Sequence, residues 1–200
     1  MTYLYLGDNL SQYKEMICDP VLNGNGKCIR GRNSNMVVRF DNGDVVNILA
    51  RRLRKLVSLP ETMKCIMLKD YGPGEMYASM VYQGKKPIES RTWRTSYRGD
   101  ILIGCSKASK SEFAGMAICV VELYHIEEMR KEHEKYVGCE LYDRANAWYL
   151  KNLRRILNPF PIKGKLSIFN VDVPEDSVMY SSGLYHGRLK KYESQLSLFN

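Results

Sequence analysis

Between residues 84 and 107 the chain gathers side chains that bind anions and flat rings. Lys86, Arg91, Arg94 and Arg98 are cations, and Trp93 and Tyr97 offer planar faces beside them. Cations bind phosphate oxygens, and aromatic faces stack on bases. Glu89 can accept a hydrogen bond from a base edge, or orient Lys86 or Arg91. In an extended stretch Glu89, Arg91 and Trp93 fall on one face. That would bring charge, acceptor and platform together in one pocket. With Ser106, the candidate base-binding set is Lys86, Glu89, Arg91, Trp93, Arg94, Tyr97, Arg98 and Ser106. The plainer reading stays open: Glu89 and Arg91 as an ion pair across a seam, Trp93 as core, Gly99 as a tight turn. No residue is assigned as catalytic. Were the protein an enzyme, Lys86 and Glu89 would be the acid/base pair.

A second basic cluster is Arg51, Arg52, Arg54 and Lys55, interleaved with Leu53 and Leu56. It reads either as a basic surface on an apolar anchor or as a solvated charged turn.

Other chemistries find little support. His125, His133 and His186 are isolated and read as surface or helix-end residues. Glu132-His133-Glu134 is no metal run, because helical neighbours point in different directions. Six cysteines occur without a CxxC or a Cys/His cluster, so neither a metal site nor a cofactor is expected. Cys105 and Cys119 sit in apolar strands and read as inert core thiols. There is no P-loop and no Gly-x-Ser-x-Gly.

Lys and Arg number 30 against 22 Asp and Glu, a net charge of +8. Residues 1–60 hold 9 of these cations against 5 acids, so the surplus is densest there. An excess of this size suits a phosphate-bearing partner. No signal peptide or bilayer-spanning stretch is visible, so a cytoplasmic protein with reduced thiols and no membrane partner is expected.

The elements that must position these residues follow from turn chemistry and apolar runs. In residues 1–60, Lys27–Arg30, Met36–Phe40 and Val45–Leu49 read as strands. Asp41-Asn42-Gly43-Asp44 reads as a hairpin with a primed turn. A small, basic, Tudor-like antiparallel β-barrel is expected here. In residues 61–175, strands are expected at Cys65–Leu68, Asp100–Cys105, Gly115–Leu123, Trp148–Leu150 and Gly164–Phe169. Helices are expected over Glu75–Gln83, ending at Gly84, and over His125–Val137. Residues 176–200 read as a flexible tail, with Val178–Lys191 a polar linker. The fold class is α+β, a barrel with short helices.

The 84–107 block has a glycine and lysine (Gly84, Lys85, Lys86), then Glu89-Ser90-Arg91, an aromatic, and Tyr97-Arg98-Gly99 before an apolar strand. It resembles the ASCH domain signature. Gly115-Met116-Ala117, Trp148-Tyr149-Leu150 and Pro161–Leu166 are similar to later parts, so the resemblance spans about residues 63–173. It implies a PUA-like β-barrel and binding of RNA or of modified nucleobases and nucleosides. Some members are hydrolases or nucleases. In the small amidohydrolase members a Lys, a Thr and a Glu catalyse. Lys86 matches that lysine, but the threonine position falls at Glu89, which has no hydroxyl. Glu132 or Glu134 would be left to supply the glutamate.

The chain ends Gln195-Leu196-Ser197-Leu198-Phe199-Asn200. This is similar to the motif by which bacterial proteins dock on the replicative sliding clamp. Leu198 and Phe199 would fill an apolar groove, Leu196 would support them, and Gln195 would bond at its edge. A terminal end folded back on its own domain is the alternative. The expected function is nucleic-acid binding, as a reader of modified bases tethered through the clamp. A nuclease or hydrolase on modified nucleosides, and a protein- or nucleotide-sequestering module, are the alternatives.

Overall fold

The structure is a computed structural model and describes residues 1–181. Gln195, Leu196, Ser197, Leu198 and Phe199 therefore lie outside the described residues. The chain divides into two compact units, Met1–Val57 and a second beginning at Ser58.

The first unit is antiparallel. Its strands are β1 (Tyr3–Tyr5), β2 (Ile17–Pro20), β3 (Asn35–Phe40), β4 (Val45–Leu49) and β5 (Leu53–Ser58). They lie in the order β5-β1-β2-β3-β4. Strand β3 shows why: Met36, Val38 and Phe40 are buried in strict alternation, the period of a one-sided strand. With Tyr5, Cys18, Ile48 and Leu53 they form one core. Tyr13 stacks on Phe40, with ring centroids 4.3 Å apart.

Two expectations are corrected here. The hairpin after Phe40 is not a primed two-residue turn. Gly43 has φ 90° while Asn42 stays outside the left-handed region. Gly43 N donates to Phe40 O and Phe40 N to Asp44 O, which closes a longer loop around a left-handed glycine. Lys27–Arg30 is not a strand, and only the isolated bridges Leu22–Cys28 and Arg30–Met36 touch it. Its residues are exposed or half-buried, so no apolar face holds it in a ladder.

The second unit holds β6 (Thr62–Leu68), α1 (Tyr77–Tyr82), β7 (Ile88–Arg91), β8 (Gly99–Cys105) and β9 (Met116–Glu128). Then follow α2 (Glu134–Val137), β10 (Asn146–Pro161), β11 (Phe169–Asp172) and β12 (Val178–Ser181). The order is β11-β6-β8-β9-β10-β12, and β7 pairs with β10 off this path. Strands β6 and β8 are parallel. Both faces of β8 are buried: Ile101, Ile103 and Cys105 join one core and Leu102 another. That is why this strand reads as an unbroken apolar run. The mostly-β architecture with two short helices is consistent with a PUA-like β-barrel.

Three further expectations change. His125–Val137 is not one helix, because β9 runs on to Glu128. Its last four residues pair with Asn146–Tyr149 of β10, and that ladder overrides the local charge pattern. Helix α2 is only Glu134–Val137, closed by Gly138 at φ 80°. Gly164–Phe169 is not a strand. Ser167 sits at φ 61°, Leu166 is 94 % exposed, and pairing starts at Phe169. Val178–Ser181 is not linker but strand, antiparallel to Arg154–Ile156 with Met179 and Tyr180 buried. Helix α1 ends as expected, with Gly84 at φ 73°. Among the described residues no helix is long and apolar enough to cross a membrane.

His133 pins α2 to the sheet, and it is buried, not on the surface. Its Nδ1 accepts from the Arg130 backbone N–H at 3.0 Å, which leaves Nε2 to carry the proton of the neutral ring. Nε2 meets Tyr149 Oη at 3.0 Å, and that hydroxyl donates to Glu127 Oε1 at 2.5 Å. Burial, opposed by the nearby Glu127 and Glu132 carboxylates, lowers the His133 pKa below its ordinary 6.5. A base whose folded pKa is depressed binds fewer protons folded than unfolded. Its stability contribution is full above 6.5 and declines as pH falls through that value. Urea unfolding at pH 7.5 and 5.5 should show this loss in the wild type, and a smaller one in His133→Gln. Equal losses in both would contradict the assignment.

Candidate nucleic-acid interface

Lys86 reaches the interior because of the turn before it. Gly84 N donates to Val81 O, and the backbone N–H groups of Lys85 and Lys86 both donate to Met80 O. The left-handed Gly84 swings the chain off α1 and sends Lys86 inward. Pro87 O then accepts from Leu150 N, which ties the segment to β10. Lys86 is left 1 % exposed.

Strand β7 presents the partners. Glu89 lies opposite Trp148 and Arg91 opposite Asn146 on β10, so the acidic and the basic side chain share one face. Lys86 Nζ lies 3.2 Å from Glu89 Oε2, and Arg91 Nε lies 3.3 Å from Glu89 Oε1. Lys86 Nζ also donates to Val137 O at the end of α2 and sits 5.0 Å from the Tyr77 ring centre. Arg91 Nη2 donates to Met67 O at 2.7 Å. A single buried carboxylate thus holds two cations. Taking such ions from water costs several kcal/mol each, which only close pairing offsets.

The pairing is close but poorly aligned. Glu89 Oε2 and Arg91 Nε are buried, and neither makes a hydrogen bond. Both residues line a pocket of about 390 Å³ together with Lys69, Tyr71, Tyr77, Lys86, Ser90, Ser106, Cys139 and Tyr142. Small-molecule sites span roughly 300–1,000 Å³, so the space fits a base or nucleotide. Burial raises the phenols of Tyr77 and Tyr142 above their ordinary value, so both stay protonated donors at neutral pH.

Of the residues singled out in the sequence, Lys86, Glu89, Arg91 and Ser106 meet in this pocket. The other four do not line it. Trp93 packs edge-on against Trp148, with centroids 4.6 Å apart, beside the apolar core. Strand β7 ends at Arg91, so the alternation does not carry on to Trp93. Arg94 Nη2 reaches Ile126 O, and Arg98 Nη1 bonds Thr95 O and Tyr97 O. Tyr97 Oη donates to Asp100 O. These bonds shape the 92–99 turn. Lys69, Tyr71, Tyr77 and Tyr142 were missed, because they come from separate segments and carry no local motif.

In the first unit, Arg51 and Arg52 are exposed in a 3-10 turn, and Arg54 Nη1 donates to Arg51 O at 2.8 Å. Leu53 is the buried anchor and Lys55 is exposed. All six cysteines are free, and burial pushes the Cys18 and Cys65 thiols up to about 12. Cys105 and Cys119 are fully buried, and burial raises their thiols as well. No group of side chains suited to hold a metal occurs among the described residues.

The ion triad makes a stability prediction. Glu89→Gln leaves two cations facing each other and should cost roughly 3–5 kcal/mol in urea unfolding. Adding Lys86→Met to it should recover part of that loss. A Glu89→Gln protein as stable as wild type would contradict the pairing.

Comparison with known proteins bears on this same stretch. Residues 74–160 match the family model of the ASCH domain. A search of curated proteins found no match. Among solved structures, the chain is similar to the ASCH protein of Zymomonas mobilis at 16 % identity and TM-score 0.40, covering 54 % of this chain and 86 % of that one. A tyrosine-to-phenylalanine variant of that protein aligns at 16 % and 0.40, covering 54 % and 88 %. A serine-to-alanine variant aligns at 16 % and 0.39, covering 56 % and 91 %. The family match supports an ASCH domain, a PUA-like fold compatible with nucleic-acid binding, in the stretch that carries Lys86, Glu89 and Arg91.

Proposed function

We propose that this protein binds nucleic acid and that the Lys86–Glu89–Arg91 pocket receives a base, with modified bases the favoured ligands. One observation carries this reading. Glu89 and Arg91 line a ligand-sized pocket, and each has a buried polar atom, Oε2 and Nε, without a hydrogen bond. Burying such atoms is costly unless something bonds them. A base edge with a donor beside an acceptor would satisfy both: its N–H to Glu89, its carbonyl or ring nitrogen to Arg91. The tyrosine rings supply stacking faces. The link of ASCH domains with nucleic-acid binding supports the same reading.

The first unit, in this reading a small Tudor-like barrel, adds a sequence-independent grip through Arg51, Arg52 and Lys55. The segment Gln195–Phe199 docks on a bacterial sliding clamp and raises the local concentration of the chain at DNA. The cytoplasm is the proposed location, and six free cysteines agree with a reducing compartment.

The test is binding of labelled single- and double-stranded DNA and RNA, with and without modified cytosines, at two salt concentrations. Affinity should fall steeply as salt rises. Arg91→Gln should weaken binding about tenfold while unfolding stays cooperative. Unchanged binding in a folded Arg91→Gln protein would remove the pocket from the account.

A further inference from the structure

The pocket's charge is not balanced. Lys69, Lys86 and Arg91 line it against a single carboxylate, Glu89. Lys86 and Arg91 share that carboxylate. Lys69 has no carboxylate within ion-pair distance among the described residues, and its Nζ lies 4.4 Å from the centre of the Tyr71 ring. Among the described residues, one cation at the pocket therefore has no ion-pair partner and lies over an exposed aromatic ring.

The backbone around Lys69 is fixed. Ser106 N donates to Leu68 O at 2.7 Å, Lys110 N to Asp70 O at 2.9 Å, and Ser109 Oγ accepts from Asp70 N at 3.0 Å. These bonds stitch the 68–70 segment to the loop after β8. That loop brings the Ser106 hydroxyl to the pocket and carries the exposed Lys107 and Lys110. Asp70 forms no ion pair among the described residues: it is fully buried, and its carboxylate accepts from Ala78 N, Ser79 N and Ser79 Oγ.

We propose that Lys69, with the Ser106 hydroxyl, forms a phosphate subsite beside the base pocket, so that the ligand is a nucleotide, free or within a strand, and not a neutral nucleoside. A phosphate there meets a cation and a hydroxyl donor, the pair that commonly holds phosphate oxygens. A neutral nucleoside would fill the base pocket and leave Lys69 uncompensated. This inference rests on the base-pocket reading.

Calorimetric titration of the full chain with the four common nucleosides and their 5′-monophosphates tests it. The wild type should bind a monophosphate about tenfold more tightly than its nucleoside, and this preference should shrink as salt rises. Lys69→Gln should reduce the preference to about twofold. Lys64→Gln, at an exposed lysine on β6 outside the pocket, should keep the preference. Equal wild-type affinity for nucleoside and monophosphate would overturn the phosphate subsite while the base pocket stands. Loss of preference in Lys64→Gln as large as in Lys69→Gln would overturn it too. Binding of none of these nucleosides and monophosphates would overturn both readings.

Discussion

The second unit is organised around one desolvated carboxylate. Glu89 is 7 % exposed and faces two cations, one of them more deeply buried than itself. Lys86 or Glu89 alone would be intolerable at that depth, so the geometry must keep the two together, with the half-buried Arg91 beside them. This constraint explains several otherwise separate features. Gly84 turns Lys86 inward, β7 is held on β10, and α2 ends with Val137 O against the ammonium. The buried His133 holds α2 where that carbonyl is needed.

A triad built only for stability would be better aligned. Its ion-pair distances are 3.2 and 3.3 Å, yet one oxygen of Glu89 and the Arg91 Nε make no hydrogen bond. Replacing such a group by apolar residues is often neutral or stabilising. Its place beside a ligand-sized opening accords with the proposed binding role. Lys69, which has no ion pair among the described residues, adds a further positive charge at the same opening.

What the sequence revealed depended on how local each signal was. Lys86, Glu89 and Arg91 lie within six positions and share a strand and its preceding turn, so alternation alone brought two of them to one face. Trp93 broke the pattern because β7 stops two residues earlier and the ring finds Trp148. The helix expected over His125–Val137 failed because β10 offered its charged residues a ladder, which no local pattern could reveal. Ser167 at positive φ and the buried Met179 likewise depend on tertiary context. Lys69, Tyr77 and Tyr142 reach the pocket from the end of β6, from α1 and from the segment after α2, and only the fold brings them together.

Hydrogen exchange of the full chain with and without a short oligonucleotide tests the base pocket most directly. The account predicts that added oligonucleotide slows exchange in residues 67–71, 86–91 and 137–142, the segments that build the pocket. Protection confined to residues 51–55, with those three segments unchanged, would contradict it and leave nucleic acid to the first unit alone.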